Sequence, residues 1–417
     1  MTSADREQSA ASGIHRPSGP TRRQLLLGGA AAGAGAAAAL GIDRLVAAAA
    51  PAPEASPAPP ALHGGEVVAF HGVHQAGIAT VPQAHATVIS LDLRPGVERD
   101  GLRRLMRLLT DDAVRLTAGT PALADMEREL ALEPAGLTVT FGFGPGFVQR
   151  AGGSGPDWLA PLPSFGIDRL RAEFTGGDLL IQVAADDPLS VAHTARMLLK
   201  DARAFATVRW VQHGFRRARG TVAQGTTMRN LFGQVDGTAN LRPGTEEFDR
   251  AVWCREDWIA GGTGMVVRRI AMNLDTWDGL DRTAREFAIG RTLDTGAPLT
   301  GEKEHDEPDF EARGPRGFPV IDDLAHIRRA HATEPGERIF RRVYNYDAPP
   351  AEASAVSESG LVFISFQADI QRQFTPMQQR LAQADLLNIW TTPIGSAVFA
   401  VPPGCDEGGY IGETLLE

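Results

Sequence analysis

Residues 178–196 read DLLIQVAADDPLSVAHTAR and contain the transition from a strand to a helix on which the fold depends. The run from Asp178 to Ala185 is short and apolar, which is typical of a buried β-strand. Asp187 can then cap a helix, because its side chain can accept free backbone N–H groups of the first turn, and Pro188 suits the first helical position. The segment therefore predicts a strand followed at once by a helix that continues to Leu199.

The elements around this segment complete one half of the chain, residues 64–235. A helix is predicted where apolar residues return on one face, at Leu102, Leu105, Met106 and Leu109. The full set of predicted elements before and after residues 178–199 is a strand from Ala86 to Leu93, a helix from Arg99 to Leu116, a strand from Leu137 to Phe143 and a closing strand from Thr207 to Val211.

The second half, residues 236–417, repeats this plan. Strands are predicted at Met265 to Leu274, Leu361 to Gln367 and Ser396 to Val401, and helices at Trp277 to Ile289 and from Ile370 to Leu381. Each half thus follows the β-α-β-β-α-β order of a ferredoxin-like domain, and the fold class is α+β. The long irregular stretch at 291–358 is of a length that is usually functional or disordered in a compact domain, and its content favours function.

The composition argues against several classes of function. The chain has 417 residues, 43% of them hydrophobic, which is ample for two packed domains. Its net charge is -10 and its 41 Lys and Arg form no basic stripe, which argues against a nucleic-acid partner. The two cysteines, Cys254 and Cys405, are too few for an all-cysteine zinc site or an iron–sulfur cluster. They can form a disulfide or remain as buried thiols.

The first fifty residues predict a targeting segment. Arg22 and Arg23 precede an Ala- and Gly-rich apolar run that ends near Leu40, and small residues follow up to residue 50. This is the order of a signal peptide, and the paired arginines indicate the twin-arginine type. An uncleaved anchor is the alternative, although the apolar run is short for a membrane span. Residues 51–63 are predicted to be a linker, because they are rich in Pro and Ala. The prediction is export of an already folded protein, a route that suits a cofactor enzyme.

The segment Gly233-Gln234-Val235-Asp236-Gly237 matches the GxxDG motif of dye-decolorizing haem peroxidases, and the sequence resembles that family over the whole region after the signal. Further similar segments occur in the family's order: GVHQAGI at 72–78, RNL at 229–231, RRI at 268–270, IGR at 289–291, GAP at 296–298, HIRRA at 326–330, IFRR at 339–342, QAD at 367–369 and IGS at 394–396. The resemblance implies two ferredoxin-like domains that form a dimeric α/β barrel, with one haem b in the C-terminal domain near the interface.

The same resemblance implies a site for the iron. His326, in the HIRRA segment, is the expected axial ligand, since a haem peroxidase needs a neutral imidazole on one face of the metal. His331 and His305 are the alternatives. An axial histidine usually donates its second ring N–H to a carboxylate, and Asp369 is the candidate for that partner. Asp369 can equally be the cap of the helix that begins near Ile370.

The opposite face of the haem needs a proton carrier and a positive charge. The resemblance assigns Asp236 as the proton carrier, and Gly233 and Gly237 would allow the backbone to approach the haem closely. Arg341 is the expected cation, and Arg342 is the alternative. Only one of the two is expected to reach the peroxide, because adjacent residues of a strand point to opposite faces. The family usually has Gly after this pair of arginines, whereas this chain has Val343.

Further residues are expected to bind the cofactor or pass electrons. Arg242, Arg291 and Arg328 are candidates to pair with the anionic haem propionates. Tyr344, Tyr346 and Trp390 are candidates for oxidation of bulky donors at the surface, although ordinary packing also explains each of them. The implied reaction reduces hydrogen peroxide and oxidises dyes, phenols or other organic donors through a ferryl intermediate. A deferrochelatase, which releases iron from haem, and a non-enzymatic haem-binding protein are the competing functions.

Overall fold

The computed structural model describes residues 62–334, 336–350 and 357–417. The predicted signal peptide, and the predicted linker up to residue 61, lie outside this part of the chain. The strands are β1 (His85–Leu93), β2 (Thr138–Phe143), β3 (Leu179–Ala185), β4 (Ala206–Phe215), β5 (Thr263–Met272), β6 (Phe340–Arg341), β7 (Tyr344–Tyr346), β8 (Gly360–Gln367) and β9 (Thr391–Val401). The α-helices are α1 (Arg99–Thr117), α2 (Pro145–Arg150), α3 (Pro188–Ala202), α4 (Glu246–Val252), α5 (Leu274–Asp278), α6 (Arg282–Ile289), α7 (His326–Arg329), α8 (Phe374–Ala384) and α9 (Glu413–Leu416).

All nine strands belong to one antiparallel sheet in the order β5-β9-β2-β3-β1-β4-β7-β8-β6. A further pairing of β5 with β8 closes eight of these strands into a ring. The two halves of the chain meet at two seams, where Phe143 pairs with Ala400 and Phe215 pairs with Asn345. The α+β fold class is confirmed, and the strands of both halves share a single barrel-like sheet.

The first half matches the sequence prediction closely. Strands β1 to β4 and helices α1 and α3 follow the predicted β-α-β-β-α-β order. The side chain of Asp187 accepts the backbone N–H of Ser190 at 3.0 Å and so caps α3, and Pro188 is its first residue. The prediction for residues 178–199 is confirmed.

The second half differs from the prediction in two ways. The helix predicted from Trp277 to Ile289 is two short helices, because α5 ends at Asp278 with Gly279 as its cap. The side chain of Asp281 then caps a new helix by accepting the N–H of Ala284. The irregular stretch contains β7, which pairs with both β4 and β8. This three-residue strand supplies the second strand of the half, and its shortness explains why periodicity did not show it.

Alternate residues of the strands build separate apolar cores. Val88 and Leu180 face the barrel interior, while their neighbours Ile89 and Ile181 pack under α1 and α3. A third apolar cluster lies beside the irregular stretch and includes Phe232, Trp277 and Leu361. Cys254 and Cys405 are both free thiols and buried. Within the described ranges, no helix has the length and apolar character to cross a membrane.

Candidate active site

His326 is the first residue of α7, a single helical turn inside the long irregular stretch. Its Nδ1 atom lies 2.6 Å from Oδ2 of Asp385. The Asp385 side chain is almost fully buried, and its other oxygen accepts the backbone N–H of Leu387 at 2.9 Å. This carboxylate is therefore fixed from two directions, and it in turn fixes the orientation of the imidazole ring.

The prediction that Asp369 accepts the hydrogen bond of His326 is wrong. Oδ1 of Asp369 accepts the backbone N–H of Arg372 at 3.0 Å, and the Asp369 N–H donates to Oε1 of Gln373 at 2.7 Å. These are local contacts of the turn before α8. The competing interpretation, a capping aspartate, is the one that fits the structure.

The free side of His326 is partly open. One third (33%) of its side chain is accessible, although protein atoms surround the ring. Burial by itself lowers the pKa of His326, but the Asp385 carboxylate more than offsets burial, so the pKa is raised. The charges of Arg341 and Asp236 also act on the ring, so both residues lie near His326.

Asp236 ends a tight hairpin in which Arg229 and Val235 form an antiparallel bridge. Its backbone N–H donates to the carbonyl oxygen of Met228 at 2.8 Å. The glycines of the motif have φ angles of 78° at Gly233 and 130° at Gly237, a region that other residues rarely adopt. The motif therefore contains glycine because the backbone turns sharply on both sides of Val235 and Asp236.

Asn230 organises this hairpin and was not singled out from the sequence. Its Nδ2 atom donates to Oδ2 of Asp236 at 3.2 Å, while its Oδ1 accepts the backbone N–H groups of Phe232 at 3.1 Å and Gln234 at 3.3 Å. The side chain thus satisfies two turn N–H groups and one oxygen of the aspartate. It leaves the Asp236 carboxylate oriented as an acceptor.

Arg341 provides the second partner of Asp236. Its Nη1 atom donates to Oδ1 of Asp236 at 3.0 Å. Asn240 holds the backbone of Arg341 at both ends, since Oδ1 of Asn240 accepts the Arg341 N–H at 2.8 Å and Nδ2 donates to its carbonyl oxygen at 2.7 Å. The pair combines a proton acceptor with a permanent positive charge near His326.

Arg342 points away from this pair, so its assignment to the site is wrong. It is fully buried, and its guanidinium donates to the carbonyl oxygens of Ile78, Thr80 and Val81 and to Oε1 of Gln83. Adjacent strand residues face opposite sides of a sheet, and here the second arginine holds the segment at 78–83 inside the protein.

Glu304 connects the irregular stretch to the Asp236 hairpin. Its Oε1 accepts the hydroxyl groups of Thr227 at 2.5 Å and Thr238 at 3.0 Å, residues on either side of Asp236. Arg291 anchors the backbone of the same residue, because its Nη1 donates to the Glu304 carbonyl oxygen at 2.8 Å. The segment that leads to His326 and the segment that carries Asp236 are thereby tied together.

The arginines predicted to meet anionic groups have different surroundings. Arg291 is buried, and its Nη1 also donates to the carbonyl oxygen of Gly296 at 2.7 Å. Arg328 donates to the Phe310 carbonyl oxygen at 2.5 Å and pairs with Asp323 at 3.0 Å. Arg242 is exposed. Arg291 and Arg328 therefore bind oxygens of the protein's own loops, and Arg242 stays a candidate for binding a haem propionate.

The remaining histidines and aromatic residues lie apart from this arrangement. His305 is exposed beside Glu304, and the ring of His331 packs against Phe310 at 5.2 Å. Tyr344 and Tyr346 are buried, whereas Trp390 is half-buried with its ring 5.2 Å from that of Trp277. Trp390 is thus the most accessible of the three aromatic candidates.

The sequence matches the family described as Dyp-type peroxidase, its N-terminal part over residues 75–216 and its C-terminal part over residues 227–406. It is 39% identical over 361 residues to a dye-decolorizing peroxidase of Thermobifida fusca, a match that covers 82% of this chain and 84% of that protein. It is also 32% identical over 371 residues to a deferrochelatase of Escherichia coli strain K12, with 83% and 86% covered.

Solved structures agree with this assignment. A DyP-type peroxidase from Cellulomonas bogoriensis is similar with a TM-score of 0.83 at 55% identity, covering 86% of this chain and 100% of that one. DtpA from Streptomyces lividans is similar with a TM-score of 0.82 at 41% identity, covering 85% of this chain and 98% of that one. The chain belongs to the Dyp-type peroxidases. It is an oxidoreductase of the peroxidase class, and its cofactor is haem.

Two residues of the site, Asp385 and Asn230, were not predicted from the sequence. Asp385 lies 59 residues beyond His326, so no local spacing relates the two. An aspartate before two leucines at the end of a helix was a recognisable cap, but capping says nothing about a distant histidine. Asn230 stood in the RNL segment, where only the turn chemistry of Asn was available as a signal.

Proposed function

We propose that the chain is a haem b peroxidase that reduces hydrogen peroxide and oxidises dyes, phenols or similar organic donors. The observation that carries this proposal is the contact of Asp236 with Arg341 at 3.0 Å, near the Asp385-bound His326. An imidazole on one side and an acid–base group with a fixed cation on the other are what peroxide reduction requires.

The residues around the cavity fit haem. Nδ1 of His326 is occupied by Asp385, and Nε2 has no partner among the described residues. Apolar side chains adjoin each polar member of the site, with Phe232 and Leu231 near Asp236, Ile327 next to His326, and Leu386 next to Asp385. A flat apolar macrocycle with a metal at its centre suits an apolar cavity with one free imidazole nitrogen.

On the proximal side, Nε2 of His326 would hold the iron. The Asp385 carboxylate keeps the proton of His326 on Nδ1, so that Nε2 is the free lone pair, and it makes the imidazole a stronger donor. Haem, when bound, supplies the reduction of peroxide and the oxidation of donors. Asp385 fixes the tautomer and the orientation of the His326 ring.

On the distal side, hydrogen peroxide would bind beside the Asp236–Arg341 pair. A carboxylate oxygen of Asp236 accepts a proton from one peroxide oxygen and returns it to the other. The Arg341 guanidinium stabilises the negative charge on the departing oxygen, and it cannot lose its proton at any working pH. Asn230 and Glu304 keep the Asp236 hairpin in place during this transfer.

Iron release from haem is the second candidate function, because several relatives at 32% identity are named deferrochelatases. Both functions use the same cavity, so one experiment must separate them. Purified protein is mixed with one equivalent of hydrogen peroxide and its absorption spectrum is followed, first alone and then with a dye. A rapid change of the Soret band that the dye reverses supports the peroxidase. Formation of iron-free porphyrin supports iron release.

We also propose that the protein is exported by the twin-arginine machinery, so that the enzyme works outside the cytoplasm. The support is the Arg22-Arg23 pair before the apolar run. A haem enzyme is a suitable passenger, since this machinery carries folded proteins.

A further inference from the structure

Arg216 is a cation for which the function proposed above has no role. Its backbone N–H donates to the Ala84 carbonyl oxygen at 2.7 Å. Its Nε donates to the carbonyl oxygen of Val343 at 2.8 Å, and its guanidinium carbon lies 5.1 Å from the centre of the Tyr344 ring. Because Val343 is two residues beyond Arg341, these contacts place the Arg216 guanidinium at the edge of the distal side.

The two terminal nitrogens of Arg216 have no protein partner. Among the described residues, none accepts a hydrogen bond from its Nη1 or Nη2, and neither atom is sealed from solvent as a buried orphan would be. The side chain is nevertheless held by protein around it, and burial lowers its pKa to about 10. The fork of the guanidinium thus opens onto accessible space inside the protein.

The charges around this space do not balance. The charges of Asp236 and Arg341 both act on the Arg216 guanidinium. Within the described ranges, Arg216 forms no ion pair with a carboxylate. Asp236 already pairs with Arg341, so Arg216 is a largely enclosed charge without a carboxylate of its own, and such a group is expected to attract an anion.

We infer that Arg216 is an anion-binding residue of the haem cavity and that its ligand is a haem propionate carboxylate. A guanidinium with two free terminal nitrogens matches the two oxygens of a carboxylate. Arg291 and Arg328 already donate to carbonyl oxygens, and Arg328 also pairs with Asp323, whereas the terminal nitrogens of Arg216 have no acceptor among the described residues. The inference rests on the proposed function, because haem is the molecule that brings the carboxylate.

The test compares haem b with its dimethyl ester, in which the propionates carry no charge. Apoprotein is titrated with each, and the dissociation constant is read from the Soret band, so no turnover is needed. The wild-type protein is expected to bind haem more tightly than the ester. Arg216→Gln should weaken haem binding about tenfold or more and leave ester binding nearly unchanged. Arg328→Gln is the matched control and should keep the wild-type preference for haem.

Each other outcome has a definite meaning. If Arg216→Gln keeps the full preference for haem, Arg216 does not bind a propionate and the inference is overturned. If chloride or acetate then shifts the spectrum of the wild-type protein but not of the variant, the residue binds a free anion instead. If the Gln variant does not fold, Arg216→Lys takes its place, and an unchanged preference there also overturns the inference. A wild-type protein that binds neither compound overturns the proposed function as well.

Discussion

The Nδ1 atom of His326 lies 2.6 Å from Oδ2 of Asp385, a residue 59 positions further along the chain. His326 begins α7, and Asp385 directly follows the last residue of α8, so the contact exists only because these two segments pack together. A buried carboxylate at this place controls which imidazole nitrogen is free.

Asp385→Asn tests that control. The variant replaces an anionic acceptor with a neutral amide, so we expect haem to bind about ten- to a hundredfold more weakly. The reduction potential of the bound iron should rise, because the imidazole becomes a weaker donor. Haem titration and a spectroelectrochemical measurement check both results. Asp369→Asn is the control: an equal effect there would restore Asp369 as the partner.

Arg341→Ala and Arg342→Ala are expected to fail in different ways. Loss of Arg341 removes the charge beside Asp236, so the Soret change after mixing with peroxide should slow by about a hundredfold while stability changes little. Loss of Arg342 leaves the carbonyl oxygens at Ile78 and Thr80 without a donor, so unfolding should become easier by about 1–3 kcal/mol or more. Stopped-flow spectra and thermal unfolding of both variants distinguish the two roles. A slow but stable Arg342 variant would contradict the assignment.

The sequence predicted those parts of the fold that have strong local signals. Residues 178–199 combine an apolar strand, a capping aspartate and a proline, and the structure follows them closely. β7 has three residues and exists through pairing with β4 and β8, so periodicity could not reveal it. The same division holds for the site: motifs indicated Asp236 and His326, whereas Asp385 and Arg216 reach it through tertiary packing alone.

Glu304→Gln tests the link between the irregular stretch and the Asp236 hairpin. The amide keeps the shape of the side chain but removes the negative charge from the oxygen that accepts two threonine hydroxyl groups. Hydrogen bonds to a charged acceptor are stronger than those to a neutral one. We expect the peroxide step to slow by roughly fivefold to twentyfold through misplacement of Asp236, with haem binding nearly unchanged. Glu302→Gln, an exposed neighbour, serves as the reference. If the two variants react at the same rate, Glu304 does not position the hairpin.

Replacing Arg22 and Arg23 with Lys tests the proposed route of export. Recognition of a twin-arginine signal depends on the arginine pair, so the double variant should remain in the cytoplasm with its signal uncleaved. Fractionation and immunoblotting measure this, and a variant with only Arg6 and Arg16 changed to Lys controls for loss of nearby arginines. Undiminished export of the double variant would point to another route.

The stability of the protein is expected to depend on pH through Asp112 in α1. This residue is buried next to Asp201 in α3. Burial, together with the hydrogen bond to Asp201, raises the pKa of Asp112 to about 8. In the unfolded chain an aspartate releases its proton near pH 4. The folded state therefore holds one more proton between about pH 4 and pH 8, and the free energy of unfolding falls as pH rises through this window.

Asp112→Asn should remove this dependence, since an amide can still donate to Asp201 and has no proton to lose. The variant is expected to match the wild-type protein near pH 4 and to become more stable than it as pH rises to 8, by an amount on the order of a few kcal/mol. Thermal unfolding at pH 4, 6 and 8 measures the difference. Asp111→Asn is the matched control, because Asp111 is exposed and pairs with Arg115 at 3.0 Å. A constant difference between wild type and Asp112→Asn at all three pH values would show that Asp112 does not retain its proton in the folded protein.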